Sequence, residues 1–214
     1  IALTLTQASN ISVIVSIAPI FTGILAHFFL EGEKMKKSIV LGFVCAMAGI
    51  CLITFQKGET VELNPLGDFL GVAAAAIWGV YSICSRKIAG FGYDTIITTR
   101  RTFFYGILFM LCALPFMDFH LSLSALLKPV NLGNIIYLGV GASAICFVTW
   151  NYAVKSLGAT RASVYIYGIP VVTILMSIPL LHEVITFQAM AGTVLTLVGL
   201  LISCLLYTSD AADE

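Results

Sequence analysis

Two aromatic residues in the middle of an apolar stretch are the first candidates for ligand contact. Trp78 and Tyr81 are three positions apart, so they share one face of a helix. Trp78 lies deeper in its stretch than the aromatic residues that anchor a helix at a membrane interface. A substrate contact and an interface-anchor role are therefore both open.

Asn151 is a polar residue inside another apolar run, next to Trp150. A buried amide needs hydrogen-bond partners, so Asn151 either links neighbouring helices or contacts a substrate, and the first role is favoured. Trp150 lies toward the end of its run, where an interface anchor is the usual role of tryptophan.

Pro19 and Pro170 each lie near the middle of a long apolar stretch. Proline has no N–H, so it leaves the carbonyl four residues earlier without its helical partner and kinks the helix. Inside a membrane that carbonyl must face protein or water. The two prolines are therefore predicted to line a central cavity with Ser16 and Tyr167, each three residues earlier on the same face. The alternative is a packing kink bridged by a neighbouring Ser or Thr side chain.

The sequence predicts no enzyme, because it contains no nucleophile paired with a base, no metal cluster and no phosphate-binding loop. No cofactor and no metal site are predicted either. The cysteines all fall in apolar runs without the spacing of paired ligands, so we interpret them as small buried hydrophobic residues. They are Cys45, Cys51, Cys84, Cys112, Cys146 and Cys204.

Composition excludes a water-soluble globular protein. Of 214 residues, 59% are hydrophobic and 10% are charged, and the mean hydropathy is +1.02, whereas ordinary soluble domains contain about 25% charged residues. The formal net charge is zero, so no footprint for nucleic acid is present. The predicted partners are the lipid bilayer and a small-molecule substrate, and a homo-oligomer remains open.

Seven stretches are long and apolar enough to cross about 30 Å of hydrocarbon at about 1.5 Å per residue. We name them spans a to g, and they cover residues 8–30, 39–55, 66–84, 102–117, 134–154, 162–181 and 187–207. Span d is the shortest, and an earlier start near Ile96 is open, with Arg100 and Arg101 reaching the interface. The predicted fold class is an all-α integral membrane protein, a helical bundle.

The two ends of the chain need separate treatment. The chain begins at Ile1 in what reads as the last turns of a helix, so we expect an N-terminally truncated protein. Residues 208–214 resemble translated adapter sequence and are excluded from the fold argument as a non-native tail.

Basic residues test the number of spans, because Lys and Arg prefer cytoplasmic loops. Nine of the eleven are predicted to lie in every second connection between spans, which the rule marks as cytoplasmic: Lys34, Lys36, Lys37, Arg86, Lys87, Arg100, Arg101, Lys155 and Arg161. The opposite side has only Lys57 and Lys128. A missing or extra span would scramble this alternation.

An internal repeat with an offset of about 150 residues relates the start of the chain to its end. The first copy contributes Ala2, Ala8, Ser12, Val13, Pro19, Thr22, Leu30, Glu33, Gly42 and Gly49. Their matches are Ala153, Ala159, Ser163, Val164, Pro170, Thr173, Leu181, Glu183, Gly192 and Gly199. Spans a and f are five spans apart, so the two copies cross the membrane in opposite directions, as in many secondary transporters.

These residues resemble the EamA-type members of the drug/metabolite transporter superfamily. The first copy carries ASNIS at 8–12, AP at 18–19, GE at 32–33 and Gly42; the second carries WNYA at 150–153, LGATRAS at 157–163, IPVVT at 169–173, HE at 182–183 and Gly192. The resemblance implies a ten-span parent with two inverted five-span repeats in a cell membrane, bacterial inner or plasma membrane. The segment with Glu31 and Glu33 is one residue longer than its counterpart, which leaves open which acidic residue is equivalent.

The predicted domains are the end of the first repeat at 1–55, an extracytoplasmic linker at 56–65, the second repeat at 66–207 and the tail at 208–214. Glycine pairs are interpreted as points of close helix approach: Gly67 with Gly71, Gly139 with Gly141, and Gly192 with Gly199.

The sequence therefore predicts a secondary transporter that moves small organic metabolites, amino acids or related compounds, with export as one option, by alternating access. The alternative is a seven-helix receptor or sensor. No visible span has a carboxylate at its middle, where a proton-coupled carrier commonly places one. Either the coupling group lies in the missing spans, or the protein is a facilitator. His27, one turn before Glu31, and His182 with Glu183 are candidate relays, but the role of solvated residues at span ends is favoured.

Overall fold

The protein is represented by a computed structural model that describes residues 5, 13–33, 37–54, 64–116, 123–169, 171–172, 176 and 186–209. Every regular element in these ranges is helical. The α-helices are α1 (Ala18–Phe29), α2 (Lys37–Thr54), α3 (Pro65–Gly90), α4 (Thr95–Ala113), α5 (Leu123–Leu126), α6 (Pro129–Ile136), α7 (Cys146–Leu157), α8 (Ala159–Val164) and α9 (Phe187–Ser209). Shorter 3-10 turns follow α4 at Leu114–Phe116 and α8 at Tyr165–Tyr167, and a π-helical stretch at Tyr137–Ile145 joins α6 to α7.

Five helices in the described residues are long and apolar enough to cross a membrane, and they coincide with spans b, c, d, e and g. They are Lys37–Thr54, Pro65–Gly90, Thr95–Ala113, Pro129–Leu157 and Phe187–Cys204. A shorter apolar helix covers Val13–Phe29, within span a. Nine of the 20 residues of span f, at 170, 173–175 and 177–181, lie outside the described residues, so the count of seven stays a prediction.

Span d illustrates how a cap sets a helix start. The Asp94 side chain accepts hydrogen bonds from the backbone N–H groups of Ile96 and Ile97 at 2.9 and 3.0 Å, which satisfies two donors that would otherwise lack partners. Helix α4 therefore begins at Thr95, and the earlier start near Ile96 is confirmed. It ends at Ala113, two residues before Pro115.

The prediction that basic residues lie in the connections is wrong for several of them. Arg86 and Lys87 lie in α3, Arg100 and Arg101 in α4, Lys155 in α7 and Arg161 in α8. The α3–α4 connection is only residues 91–94, where Gly92 has φ +78°. The helices extend past the apolar stretch because Arg and Lys are themselves good helix formers.

The chain forms two compact units, residues 1–84 with 157–214, and residues 85–156. In the first unit α2 packs along α9, and α1 packs against α8. Its core contains Ala46, Ile50, Val164 and Tyr167. The bounds of these units differ from those of the predicted repeats, 1–55 and 66–207. The repeats are defined by sequence similarity, and their bounds stay a prediction.

Helices α2 and α9 approach through glycine. A Cβ on Gly49 would lie 2.5 Å from the carbonyl oxygen of Gly192, and a Cβ on Gly192 would lie 2.7 Å from that of Gly49. Gly42 and Gly199 have the same reciprocal relation, at 2.6 Å in both directions. Position rises on α2 as it falls on α9, so the helices run antiparallel. The predicted close approach is confirmed for Gly192 and Gly199, whereas Gly139 faces open space among the described residues.

Candidate functional site

The first proline candidate interrupts its helix as predicted. The apolar segment is helical from Val13, turns at Ser16 and Ile17, and resumes as α1 at Ala18 with Pro19 in the first turn. Ser16 is 5% exposed, and Pro19 is also buried. The Thr22 hydroxyl donates to the carbonyl of Ala18 at 3.0 Å. Both predicted residues thus lie at a break in the span, within the protein rather than toward lipid.

Tyr167, the repeat counterpart of Ser16, also lies at a local break. It ends the 3-10 turn that follows α8. Its side chain is 1% exposed and packs in the core of the first unit, 6.5 Å from the ring of Phe43 on α2. Its hydroxyl has no hydrogen-bond partner within the described part of the chain. Pro170, the second proline candidate, lies outside the described residues.

Trp78 and Tyr81 lie together on α3, with ring centroids 5.6 Å apart. Both side chains are half-buried. The adjacent Gly79 brings α3 against α1, since a Cβ there would lie 3.2 Å from the backbone nitrogen of Thr22. The aromatic pair therefore lies on α3, the helix that contacts α1 at Thr22, about one turn after Pro19.

Asn151 is the centre of a polar cluster in the second unit. Its Oδ1 accepts from the Ser85 hydroxyl at 2.6 Å, and its Nδ2 donates to Thr99 Oγ1 at 2.9 Å. Thr99 in turn donates to the carbonyl of Thr95 at 2.7 Å. These bonds join α7 to α3 and α4, as expected of a residue that links helices.

Sequence reasoning missed a role for Arg86. Its Nη1 donates to the carbonyls of Lys155 and Val154, at 2.6 and 3.4 Å. These are among the last carbonyls of α7, which have no partners within the helix and lie at its negative end. Arg86 thus caps α7, in addition to its predicted part in the cytoplasmic charge bias.

It also missed Glu33, which had no predicted role. This carboxylate is 9% exposed. Oε1 accepts from the backbone N–H of Ala159 at 3.0 Å, and Oε2 accepts from the N–H and the hydroxyl of Thr160, both at 2.9 Å. Glu31, two residues earlier, is exposed. The signals in the sequence were the repeat match of Glu33 to Glu183, the GE pair at 32–33 and the one-residue insertion around Glu31 and Glu33.

The second unit has a groove of about 630 Å³ beside α4. Its polar lining includes Asp94, Thr98, Arg101, Thr102 and Tyr105. Their spacing of three and four residues puts them on one helix face, a pattern that the sequence already contained. A smaller cavity of about 130 Å³ in the first unit is lined in part by Arg161, Tyr165 and Ser203. Within the described residues, no group of His, Cys, Asp or Glu could hold a metal ion.

A family model described as "EamA-like transporter family" matches residues 1–55 and 65–205. The chain belongs to the EamA-like transporter family. It is thus an all-helical, multi-pass membrane protein, and the resemblance inferred from the repeat residues is confirmed.

Several curated relatives of this EamA-like chain are named as transporters. The uncharacterized transporter YyaM of Bacillus subtilis (strain 168) is 28% identical over 205 residues, 94% of this chain and 66% of that protein. An uncharacterized transporter of Archaeoglobus fulgidus is 31% identical over 192 residues, 89% of this chain and 66% of that protein. A "probable terminal-alkyne amino-acid exporter" of Streptantibioticus cattleyicolor is 28% identical over 91% of this chain and 63% of that protein. The chain therefore spans just under two thirds of the length of these relatives.

A solved structure described as "Crystal structure of protein" has the same fold. It matches 96% of this EamA-like chain and 70% of its own chain with a TM-score of 0.80 and 22% identity.

Proposed function

We propose that the full-length protein is a secondary transporter of small organic metabolites that works by alternating access between two inverted repeats in a cell membrane, bacterial inner or plasma membrane. Membership in a family of transporters gives the general class. The observation that carries the mechanism is the reciprocal antiparallel contact of α2 with α9.

The glycine pairing supports an inverted repeat. In the sequence repeat, Gly42 corresponds to Gly192 and Gly49 to Gly199. In space, Gly42 meets Gly199 and Gly49 meets Gly192, so each glycine contacts the counterpart of its neighbour. That is the pattern expected at an approximate two-fold axis in the membrane plane, the axis that relates inverted repeats.

The substrate site is proposed to include residues that the sequence analysis selected: Ser16, Pro19, Trp78, Tyr81, Asn151, Tyr167 and Pro170. The break of the helix at Ser16 and the 3-10 turn at Tyr167 support this proposal, because broken helices near the midplane line the sites of many carriers. For Asn151, the bonds to Ser85 and Thr99 favour a supporting role.

Amino acids or related compounds are the proposed substrate class. The relative named as a probable amino-acid exporter supports it.

Counterflow in liposomes tests the carrier function. Liposomes that contain the full-length protein are loaded inside with a mixture of unlabelled amino acids. They should accumulate a labelled amino acid from outside, and this uptake should be saturable and reduced by competitors. Empty liposomes measure the passive leak. A flux that rises linearly with concentration and ignores competitors would rule out a carrier for this class.

A further inference from the structure

We propose that the Glu33 carboxylate is a latch that closes the transport pathway at the cytoplasmic face by joining the end of α1 to the start of α8. The Glu33 latch consists of Glu33 with the first two residues of α8, Ala159 and Thr160. This inference rests on the proposed carrier function. Glu33 acts as a positioning residue: it sets which face is open and does not bind the substrate.

The latch is a complete and specific contact. Both carboxylate oxygens accept hydrogen bonds, three in all, and each is 2.9 or 3.0 Å long. The donors include the first N–H groups of α8, which have no partners inside the helix. A carboxylate at this end also meets the positive end of the helix dipole. Charge-assisted bonds of this kind are about twice as strong as neutral ones.

Gly158 shapes the receiving side. Its φ of +91° lies in a region that residues with a side chain disfavour. Gly158 turns the chain from α7 into α8. A Cβ at this position would lie 2.8 Å from Glu33 Oε1. Glycine therefore both makes the turn and leaves room for the carboxylate.

The latch bridges two segments that must move relative to each other in a carrier of this type. Glu33 lies four residues after the end of the first-repeat helix α1 at Phe29. Ala159 and Thr160 begin a second-repeat helix, 126 and 127 residues after Glu33. Rocking one repeat against the other separates such contacts on one face at a time. Because Glu31 and Gly32 beside the latch are exposed, water can hydrate both partners once they part.

The structure then represents the state that is closed to the cytoplasm. Ala26, two turns before the latch on α1, is 0% exposed. Release of the latch should admit water to this position from the cytoplasmic face.

Thiol labelling measures this opening directly. Full-length protein without native cysteines receives Ala26→Cys and is reconstituted in vesicles with its cytoplasmic face outward. A membrane-impermeant maleimide should label it slowly. Glu33→Gln keeps the size of the side chain but removes its charge. We expect it to raise the labelling rate about tenfold, the population change that loss of one charge-assisted hydrogen bond can supply.

Two variants control for the identity of the contact. Glu31→Gln removes an exposed carboxylate from the same turn and should leave the rate unchanged. Gly158→Ala disturbs the latch from the opposite side and should raise the rate as Glu33→Gln does. A rate within about twofold of the parent in folded Glu33→Gln protein would overturn the latch. Failure of both Glu33→Gln and Gly158→Ala to fold would also overturn it, because the contact would then be permanent.

Counterflow on the same vesicles separates this inference from the carrier proposal. Transport by the parent with no labelling response to Glu33→Gln refutes the latch and leaves the carrier intact. No transport by the parent refutes the carrier, whatever the labelling shows.

Discussion

The single hydroxyl of Tyr167 offers a clear test at the scale of one residue. Leaving a buried hydroxyl without a partner costs about 1–3 kcal/mol, and no partner is found within the described residues. We therefore expect Tyr167→Phe to keep or raise the melting temperature, because it removes this unpartnered hydroxyl. We also expect it to lower counterflow severalfold, because we propose that the hydroxyl contacts the substrate. Tyr152→Phe, which changes an exposed tyrosine, is the control. Normal flux in Tyr167→Phe would remove this residue from the site.

Asn151 should contribute stability through its partners. In a double-mutant cycle with Asn151→Ala and Thr99→Ala, we expect a coupling energy of about 0.6 kcal/mol and at most about 1.7 kcal/mol, the average and the maximum for hydrogen bonds between membrane helices. Equilibrium unfolding in mixed micelles gives the four free energies of unfolding. Strictly additive effects would mean that the 2.9 Å bond contributes nothing.

For single residues, the sequence predicted which polar residues need hydrogen-bond partners better than it predicted which groups those partners are. It identified Asn151 because an amide in an apolar run needs partners, and it favoured the linking role that the contacts show. It missed Glu33 because a carboxylate near a span end resembles a solvated residue. Only the packing of α8 against α1 supplies the N–H groups that bury it.

At the scale of the helices, the close contact between α2 and α9 depends on glycine, which has no side chain, at the points of approach. Gly49→Ala would put a methyl group 2.5 Å from the Gly192 carbonyl oxygen. We expect a loss of about 1–3 kcal/mol, as for other overpacked interiors, measured as a lower melting temperature of the purified protein. Gly106→Ala in α4 is the matched control, since nothing described lies within 4 Å of that position. Equal melting temperatures for the two variants would contradict the close approach.

Helix bounds could be predicted from the sequence only where apolar length sets them. Spans b and g agree with their helices to within three residues, because about 20 apolar residues are needed to cross the bilayer. The helix of span c continues six residues beyond the predicted end, and that of span e begins five residues before the predicted start. Span d differed since its start depends on a local signal, the Asp94 cap. Proline predicted a break in the helix of span a at Pro19, and the structure contains this break.

For the whole molecule, the proposed inverted repeat predicts which connections share a side of the membrane. Glu31 and Ser156 are both exposed at the ends of helices, and the proposed five-span inversion predicts that both lie in the cytoplasm. Asn64, which caps the start of α3 by accepting from the N–H of Gly67 at 3.1 Å, should lie outside. Composition and hydropathy alone cannot give these sides, whereas the bias of nine basic residues does.

Cysteine labelling in oriented vesicles measures this topology. On a cysteine-free, full-length background, Glu31→Cys and Ser156→Cys should react with an impermeant maleimide only when the cytoplasmic face is outward. Asn64→Cys should react only in the opposite orientation. Labelling of Glu31→Cys and Ser156→Cys from contrary sides would place spans a and f in the same direction. The reciprocal contact of α2 with α9 would then have no two-fold origin, and alternating access between inverted halves would lose its structural basis.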